Sequence, residues 1–161
     1  MNARRVAGLG ALLASVALGH PAPNSTLRLD FQGSEVRAEY WLPVTELAHA
    51  RASDPGNNPG NNLSAYLLGR LSVATPGGSP WRILVNGIRE DRYLEHDYLV
   101  AELRMVPPAG EPPQHFVLTD DVITHEVRNH RLFVVANRPG GNRLAGTLQY
   151  PARRLEVFAG E

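Results

Sequence analysis

The chain has 161 residues, no cysteine, no lysine, and equal numbers of basic and acidic residues, 16 of each. The lack of cysteine excludes disulfides, thiolate metal sites and thiol redox chemistry, so packing alone must stabilise the fold. The balanced charge, without an arginine run, disfavours nucleic-acid binding, and beyond Leu18 no apolar stretch approaches the roughly 20 residues that span a bilayer.

The N-terminal segment has the three parts of a secretory signal peptide. Two arginines precede an apolar run, and Ala17-Leu18-Gly19 supplies small residues at the −3 and −1 positions of a cleavage site. We therefore expect residues 1–19 to be a signal peptide and residues 20–161 to form a single exported domain, periplasmic or extracellular. The mature chain is expected to be soluble, and to be held at a membrane only by a partner or by an uncut signal.

Cleavage after Gly19 would make His20 the first residue of the mature chain. An N-terminal histidine offers a free amine and an imidazole on one residue, and together these groups chelate borderline metals such as Cu(II) or Ni(II). If the signal is cut elsewhere, or if the terminal residue is merely solvated, His20 has no such role.

The first half of the exported region predicts a β-hairpin followed by two short helices. Residues 26–32 and 35–42 alternate apolar and polar positions on either side of a Gln-Gly-Ser turn, which is typical of a hairpin with one buried face. Helices are expected over 44–50 and 63–71. Between them the sequence Pro-Gly-Asn-Asn occurs twice, which indicates a flexible loop over 52–62.

The second half predicts further strands. Residues 81–85 and 88–92 flank Asn86-Gly87, a dipeptide that favours the type I′ turn of a hairpin. Other strands are expected over 98–106, 115–118, 132–136, 144–150 and 154–158. About eight short strands and two short helices indicate a mainly β fold, an antiparallel Ig-like β-sandwich, with an α+β roll as the alternative. The expected core contains Leu29, Tyr40, Val85, Leu103, Val134 and Leu148.

Four segments occur in a characteristic order. Residues 20–30 begin His-Pro-Ala-Pro-Asn-Ser and end in Leu-Arg-Leu-Asp, residues 39–47 contain Leu-Pro-Val-Thr-Glu-Leu, residues 121–130 read Asp-Val-Ile-Thr-His-Glu-Val-Arg-Asn-His, and residues 144–148 read Leu-Ala-Gly-Thr-Leu. This order resembles the exported region of HupE/UreJ-type membrane proteins, which are named for hydrogenase and urease accessory functions. The resemblance implies that the protein handles nickel or cobalt.

Proteins of that family usually continue into a bundle of transmembrane helices, whereas this chain ends at Glu161. We therefore expect a free-standing sibling of the exported domain, a truncated form, or one half of a split pair. In the last case the partner would be a multi-spanning membrane permease, and another envelope protein is the alternative partner.

Two further histidines are candidate metal ligands together with His20. His125 and His130 are five residues apart, a spacing that puts them on opposite faces of a strand and well apart on a helix, so they converge only if the chain turns between them. Glu126 and Asp121 are nearby carboxylates that can ligate a metal or orient an imidazole. Nitrogens of His20, its amine included, would suit a tetragonal Cu(II) or Ni(II) site with one of His125 or His130. In the alternative, His125 and His130 hydrogen-bond backbone groups at a strand entrance.

No nucleophile elbow, phosphate-binding loop or His-Glu-x-x-His motif occurs in the sequence, so no common catalytic motif indicates an enzyme. We therefore expect a non-catalytic accessory domain outside the cytoplasm. It would bind or present a divalent transition metal (Ni, Co or Cu), or dock on a membrane metal permease. Two alternatives stay open: a structural interaction module without metal, and a copper oxidase that uses an N-terminal histidine.

Overall fold

The computed structural model describes residues 23–53, 62–138 and 140–159. The expected signal peptide over 1–19, the candidate ligand His20 and most of the expected loop over 52–62 lie outside the described residues. Among the helices that are described, none is both long enough and apolar enough to cross a membrane.

Nine strands and two short helices make up the described secondary structure. In chain order they are β1 (Ser25–Gln32), β2 (Glu35–Pro43), α1 (Val44–Ala52), α2 (Leu63–Leu68), β3 (Leu71–Ala74), β4 (Arg82–Tyr93), β5 (His96–Val106), β6 (His115–Asp120), β7 (Arg131–Arg138), β8 (Gly141–Gln149) and β9 (Arg154–Phe158). A six-stranded sheet has the order β4-β5-β2-β1-β7-β8, and a three-stranded sheet has the order β3-β6-β9. Neighbouring strands are antiparallel except β1 and β7, which run parallel.

The two sheets enclose one hydrophobic core, and the expected mainly β sandwich with short helices is confirmed. Along β1 and β2, alternate side chains such as Leu29 and Tyr40 point inward and are almost completely buried. From β6, Phe116 enters the same core, with its ring centroid 5.0 Å from that of Trp81. Five of the six expected core residues are buried, and Val85 is half-buried against them.

The Asn86-Gly87 dipeptide is not the expected hairpin turn. Strand β4 continues through it, and the register against β5 shifts between Val85 and Gly87, so Asn86 occupies a β-bulge. The chain reverses further on, between Tyr93 and His96, where Leu94 has a left-handed φ of 56°. Pairing along the whole length of β5 outweighs the local turn preference of the dipeptide, because a bulge absorbs one extra residue without ending the strand.

The second helix is shorter than expected. Asn62 is its N-cap, since the Ser64 amide donates to Asn62 Oδ1 at 3.0 Å. The helix ends at Leu68, and Gly69 forms its C-cap instead of continuing the helical pattern. From Leu71 onward, buried and exposed residues alternate with the period of a strand, and this segment is β3.

The larger sheet has one face on the core and an opposite face, called here the outer face, which carries charged side chains. The outer face contains Arg28, Arg37, Glu39, Glu102 and Arg104. Within the cross-strand register, Arg28 is opposite Glu39 and Glu39 is opposite Glu102. This division into an apolar and a charged face is typical of an antiparallel sheet that is packed on one side only.

Candidate functional site

The start of β1 and the segment over 121–130 meet at one end of the larger sheet. Because β1 and β7 are parallel, both strands begin at this end, and Ser25 pairs with Leu132. The Arg131 amide donates to Asn24 Oδ1 at 3.2 Å, which fastens the chain just before β1. The N-terminal part of the described chain therefore enters the sheet next to the segment that carries the two candidate histidines.

His130 is buried and hydrogen-bonds to Ser25, the first residue of β1. Its Nε2 accepts the Ser25 amide at 3.3 Å and lies 2.8 Å from Ser25 Oγ. Burial lowers the pKa of His130 to about 4, so the imidazole is neutral near neutral pH. A metal ion at this Nε2 would have to displace the contact with the strand.

His125 has a different environment. Its Nδ1 lies 2.8 Å from the Asp121 carbonyl oxygen, and since a carbonyl only accepts, Nδ1 carries the proton and donates it. The opposite nitrogen, Nε2, is buried and makes no hydrogen bond within the described residues. The imidazole lies beside Tyr66, at 6.4 Å between ring centroids. An imidazole held through Nδ1–H, with a free lone pair on Nε2, is the form in which histidines ligate metals.

The chain turns between the two histidines, as their convergence would require. Amides of Val127 and His130 donate to the carbonyls of Ile123 and Val127, both at 3.0 Å, so the chain bends between His125 and His130. The two imidazoles nevertheless contact different neighbours. Across the part of the chain that the structure describes, no three His, Asp or Glu side chains form a metal-binding group.

The two carboxylates proposed as ligands differ in their surroundings. Asp121 Oδ2 accepts from Arg153 Nη1 at 2.7 Å, and Asp121 Oδ1 lies 3.8 Å from Arg70 Nη1. Its charge is therefore already balanced by guanidinium groups. Glu126 is exposed on the turn, where its carboxylate is open to solvent.

A buried polar pair was missed by the sequence analysis. The Tyr40 hydroxyl donates to Asp120 Oδ2 at 2.8 Å and so links β2 of the larger sheet to β6 of the smaller one. Burial raises the pKa of Asp120 to about 7 and raises that of Tyr40 well above its usual range. The sequence did contain a signal for the burial of Asp120. This residue lies two positions after Leu118 on β6, and side chains two positions apart on a strand lie on the same face, here the inward one.

Compared with models of known protein families and with curated proteins, the sequence matches none of them.

Proposed function

We propose that the protein is a non-catalytic accessory domain of the cell envelope, similar to the exported region of HupE/UreJ-type proteins. Its metal site would lie at the end of the larger sheet where β1 begins, and would take a divalent ion such as Ni(II), Cu(II) or Co(II). The observation that carries the proposal is His125, whose Nδ1 is fixed to the Asp121 carbonyl while its buried Nε2 has no hydrogen bond within the described residues.

The chain length before β1 supports this proposal. Ser25 lies five positions after His20, and a fully extended chain over five positions reaches at most about 18 Å. Ser25 itself contacts His130, which belongs to the same turn as His125. A mature N-terminus at His20 would therefore remain within reach of His125, and its amine and imidazole would complete a set of nitrogen donors suited to Ni(II) or Cu(II).

The first prediction follows from this donor set. Calorimetric titration of the protein that begins at His20 with Ni(II), Cu(II) and Co(II) should show one ion bound per chain. Exchange of His125 for Ala should weaken binding about tenfold or more, because one nitrogen ligand is lost. One residue added before His20 should weaken binding to a similar extent, because the amine is displaced.

His49→Ala is the control, since His49 is exposed on α1. It should bind the metal like the parent protein. The proposal fails if the parent binds none of the three ions below millimolar concentration, or if the His125 and extended variants bind as well as the parent.

A second candidate, an interaction module that needs no metal, is favoured by the tip of the β4–β5 hairpin. Leu94 is 78% exposed and Tyr93 is 58% exposed, and both lie where the chain reverses. Leu94 also has a left-handed φ of 56°, a conformation that costs a leucine about 1–2 kcal/mol. The acidic Glu95 follows directly, and Asp97 lies two positions further on, 3.8 Å from Arg92 Nε. An exposed and strained apolar tip with acidic neighbours would fit an apolar pocket with a basic rim on a partner protein.

A further inference from the structure

A groove of about 810 Å³ runs across the outer face of the larger sheet. Its lining comes from all six strands of that sheet, from Asn86 on β4 to Asn142 on β8. Since neighbouring strands lie about 4.8 Å apart, the groove crosses roughly 24 Å of sheet. The hydrophobic core occupies the other face, so the groove is separate from the packing that holds the sheets together.

Exposed amides form the two sides of this groove. Asn86 lies in the β-bulge of β4, and a bulge changes the direction of the side chain that it carries. At the other side, Asn137 and Asn142 are direct cross-strand partners on β7 and β8. All three are exposed, so each offers a donor and an acceptor to a molecule in the groove.

Most charged groups on the floor of the groove are already paired with a group of opposite charge. Glu35 accepts from Arg104 Nε at 2.6 Å and from Arg37 Nε at 3.4 Å. The hydrogen bond from Arg104 holds the pKa of Glu35 below its usual range, so this group is a carboxylate. Glu39 in turn lies 3.9 Å from Arg28 Nη1. Beside the floor, Arg89 donates to Glu39 at 2.8 Å and lies 3.8 Å from Glu102. The three arginines and four acidic residues of the lining, taken together with Arg89, carry no net charge, so a charged ligand gains little from electrostatic attraction.

These paired groups can still form hydrogen bonds with a ligand. A guanidinium has five N–H donors and a carboxylate has about four acceptor positions, and one or two contacts use only part of them. The floor therefore presents closely alternating donors and acceptors over a long, shallow surface. Hydroxyl groups, which donate and accept at once, match this pattern better than an anion or an apolar chain does.

We propose that the groove binds a neutral, polyhydroxylated chain, that is, an oligosaccharide that lies across the strands. Trp41 has a supporting role in this site, since its ring lies under the guanidinium groups of Arg28, at 4.8 Å, and Arg89, at 5.5 Å. The indole fixes the position of these arginines through cation–π contacts. The site is independent of the metal-binding proposal and uses none of its residues.

The test titrates the protein with cellohexaose, maltohexaose and chitohexaose as neutral probes and with polygalacturonate as an anionic probe. At least one neutral hexasaccharide should bind, and the NMR signals of the Asn86 and Asn142 side-chain amides should shift on its addition. Exchange of both residues for Ala should weaken binding about tenfold or more, since donors and acceptors are lost on both sides of the groove.

Asn129→Ala is the matched control, because Asn129 is exposed and lies outside the groove lining. This variant should bind like the parent. The proposal is overturned if none of the three hexasaccharides binds at millimolar concentration, if the double variant binds as tightly as the parent, or if polygalacturonate binds more tightly than every neutral probe.

Discussion

Two buried ionisable residues, His130 and Asp120, make stability depend on pH in opposite directions. Burial lowers the pKa of His130 from 6.5 to about 4, so the unfolded state binds more protons between these values and stability falls as the pH drops through them. Burial raises the pKa of Asp120 from 3.8 to about 7, so the folded state binds the additional proton and stability falls as the pH rises through that range. Between about pH 4 and pH 6.5 the two effects oppose each other.

Removal of either group should reveal the effect of the other. Asp120→Asn keeps an acceptor for the Tyr40 hydroxyl but does not titrate, so the free energy of unfolding should increase from pH 4 to pH 6.5, by on the order of 3 kcal/mol. His130→Gln should show the reverse trend, a decrease from pH 4 to pH 7. Urea unfolding at intervals of half a pH unit measures both profiles. If both variants keep the pH profile of the parent, the two groups do not control it.

At the scale of elements, the β4–β5 hairpin contains two departures from regular strand geometry. The bulge at Asn86 lets β4 stay paired with β5 along its length, and the reversal is left to Leu94 and Glu95. Leu94 has a positive φ, which glycine adopts without strain, whereas Glu95 does not. The hairpin therefore has a leucine at a position where the backbone conformation would be less strained for glycine.

Leu94→Gly should accordingly raise the free energy of unfolding by about 1 kcal/mol, because the backbone strain is relieved. Glu95→Gly is the control and should lower it by about 0.5–1 kcal/mol, since glycine there only adds entropy to the unfolded chain. Chemical denaturation measures both. If the hairpin tip docks on a partner, Leu94→Gly should also abolish that binding although the protein is more stable. A less stable Leu94→Gly variant would contradict the assignment of strain.

Features that depend on residues close together in the sequence could be predicted, whereas features that depend on contacts between distant segments could not. The alternation over residues 26–32 and 35–42 predicts the β1–β2 hairpin, because a strand with one buried face carries its own period. The course of β4 through Asn86-Gly87 was not predictable, since it depends on pairing with β5. In the candidate site, the spacing of His125 and His130 showed that they could converge only across a turn, which is a local feature of the chain. The contact between His130 and Ser25 could not be predicted, because it joins residues 105 positions apart.

At the scale of the whole molecule, the two sheets approach closely at the crossing of β8 and β9. Gly146 lies on β8, and a Cβ atom built there would be 2.6 Å from Leu155 Cδ1 on β9. Leu155 packs against the hydrophobic core in the position that the missing side chain leaves open. The absence of a side chain at Gly146 therefore determines how near the smaller sheet lies to the larger one.

Gly146→Ala should destabilise the protein by about 1–3 kcal/mol, because the Leu155 side chain must shift from its packing against the core to accommodate the methyl group. Gly87→Ala provides the comparison, since a Cβ atom there would meet Glu102 Oε2 at an ordinary distance of 3.7 Å. Thermal unfolding of the two variants should differ clearly, with the lower midpoint for Gly146→Ala. Equal midpoints would show that the crossing tolerates the added volume.

The parallel pairing of β1 with β7 also governs the order in which the protein can assemble. Strand β1 is made early and lies in the interior of the larger sheet, yet its second neighbour begins only at Arg131. Until that part of the chain has been synthesised, the β1–β2 hairpin exposes an unpaired backbone edge, which can bind other extended chains. Pairing between such distant segments is slow, so this edge stays exposed for longer than one that is covered by the next strand of the chain.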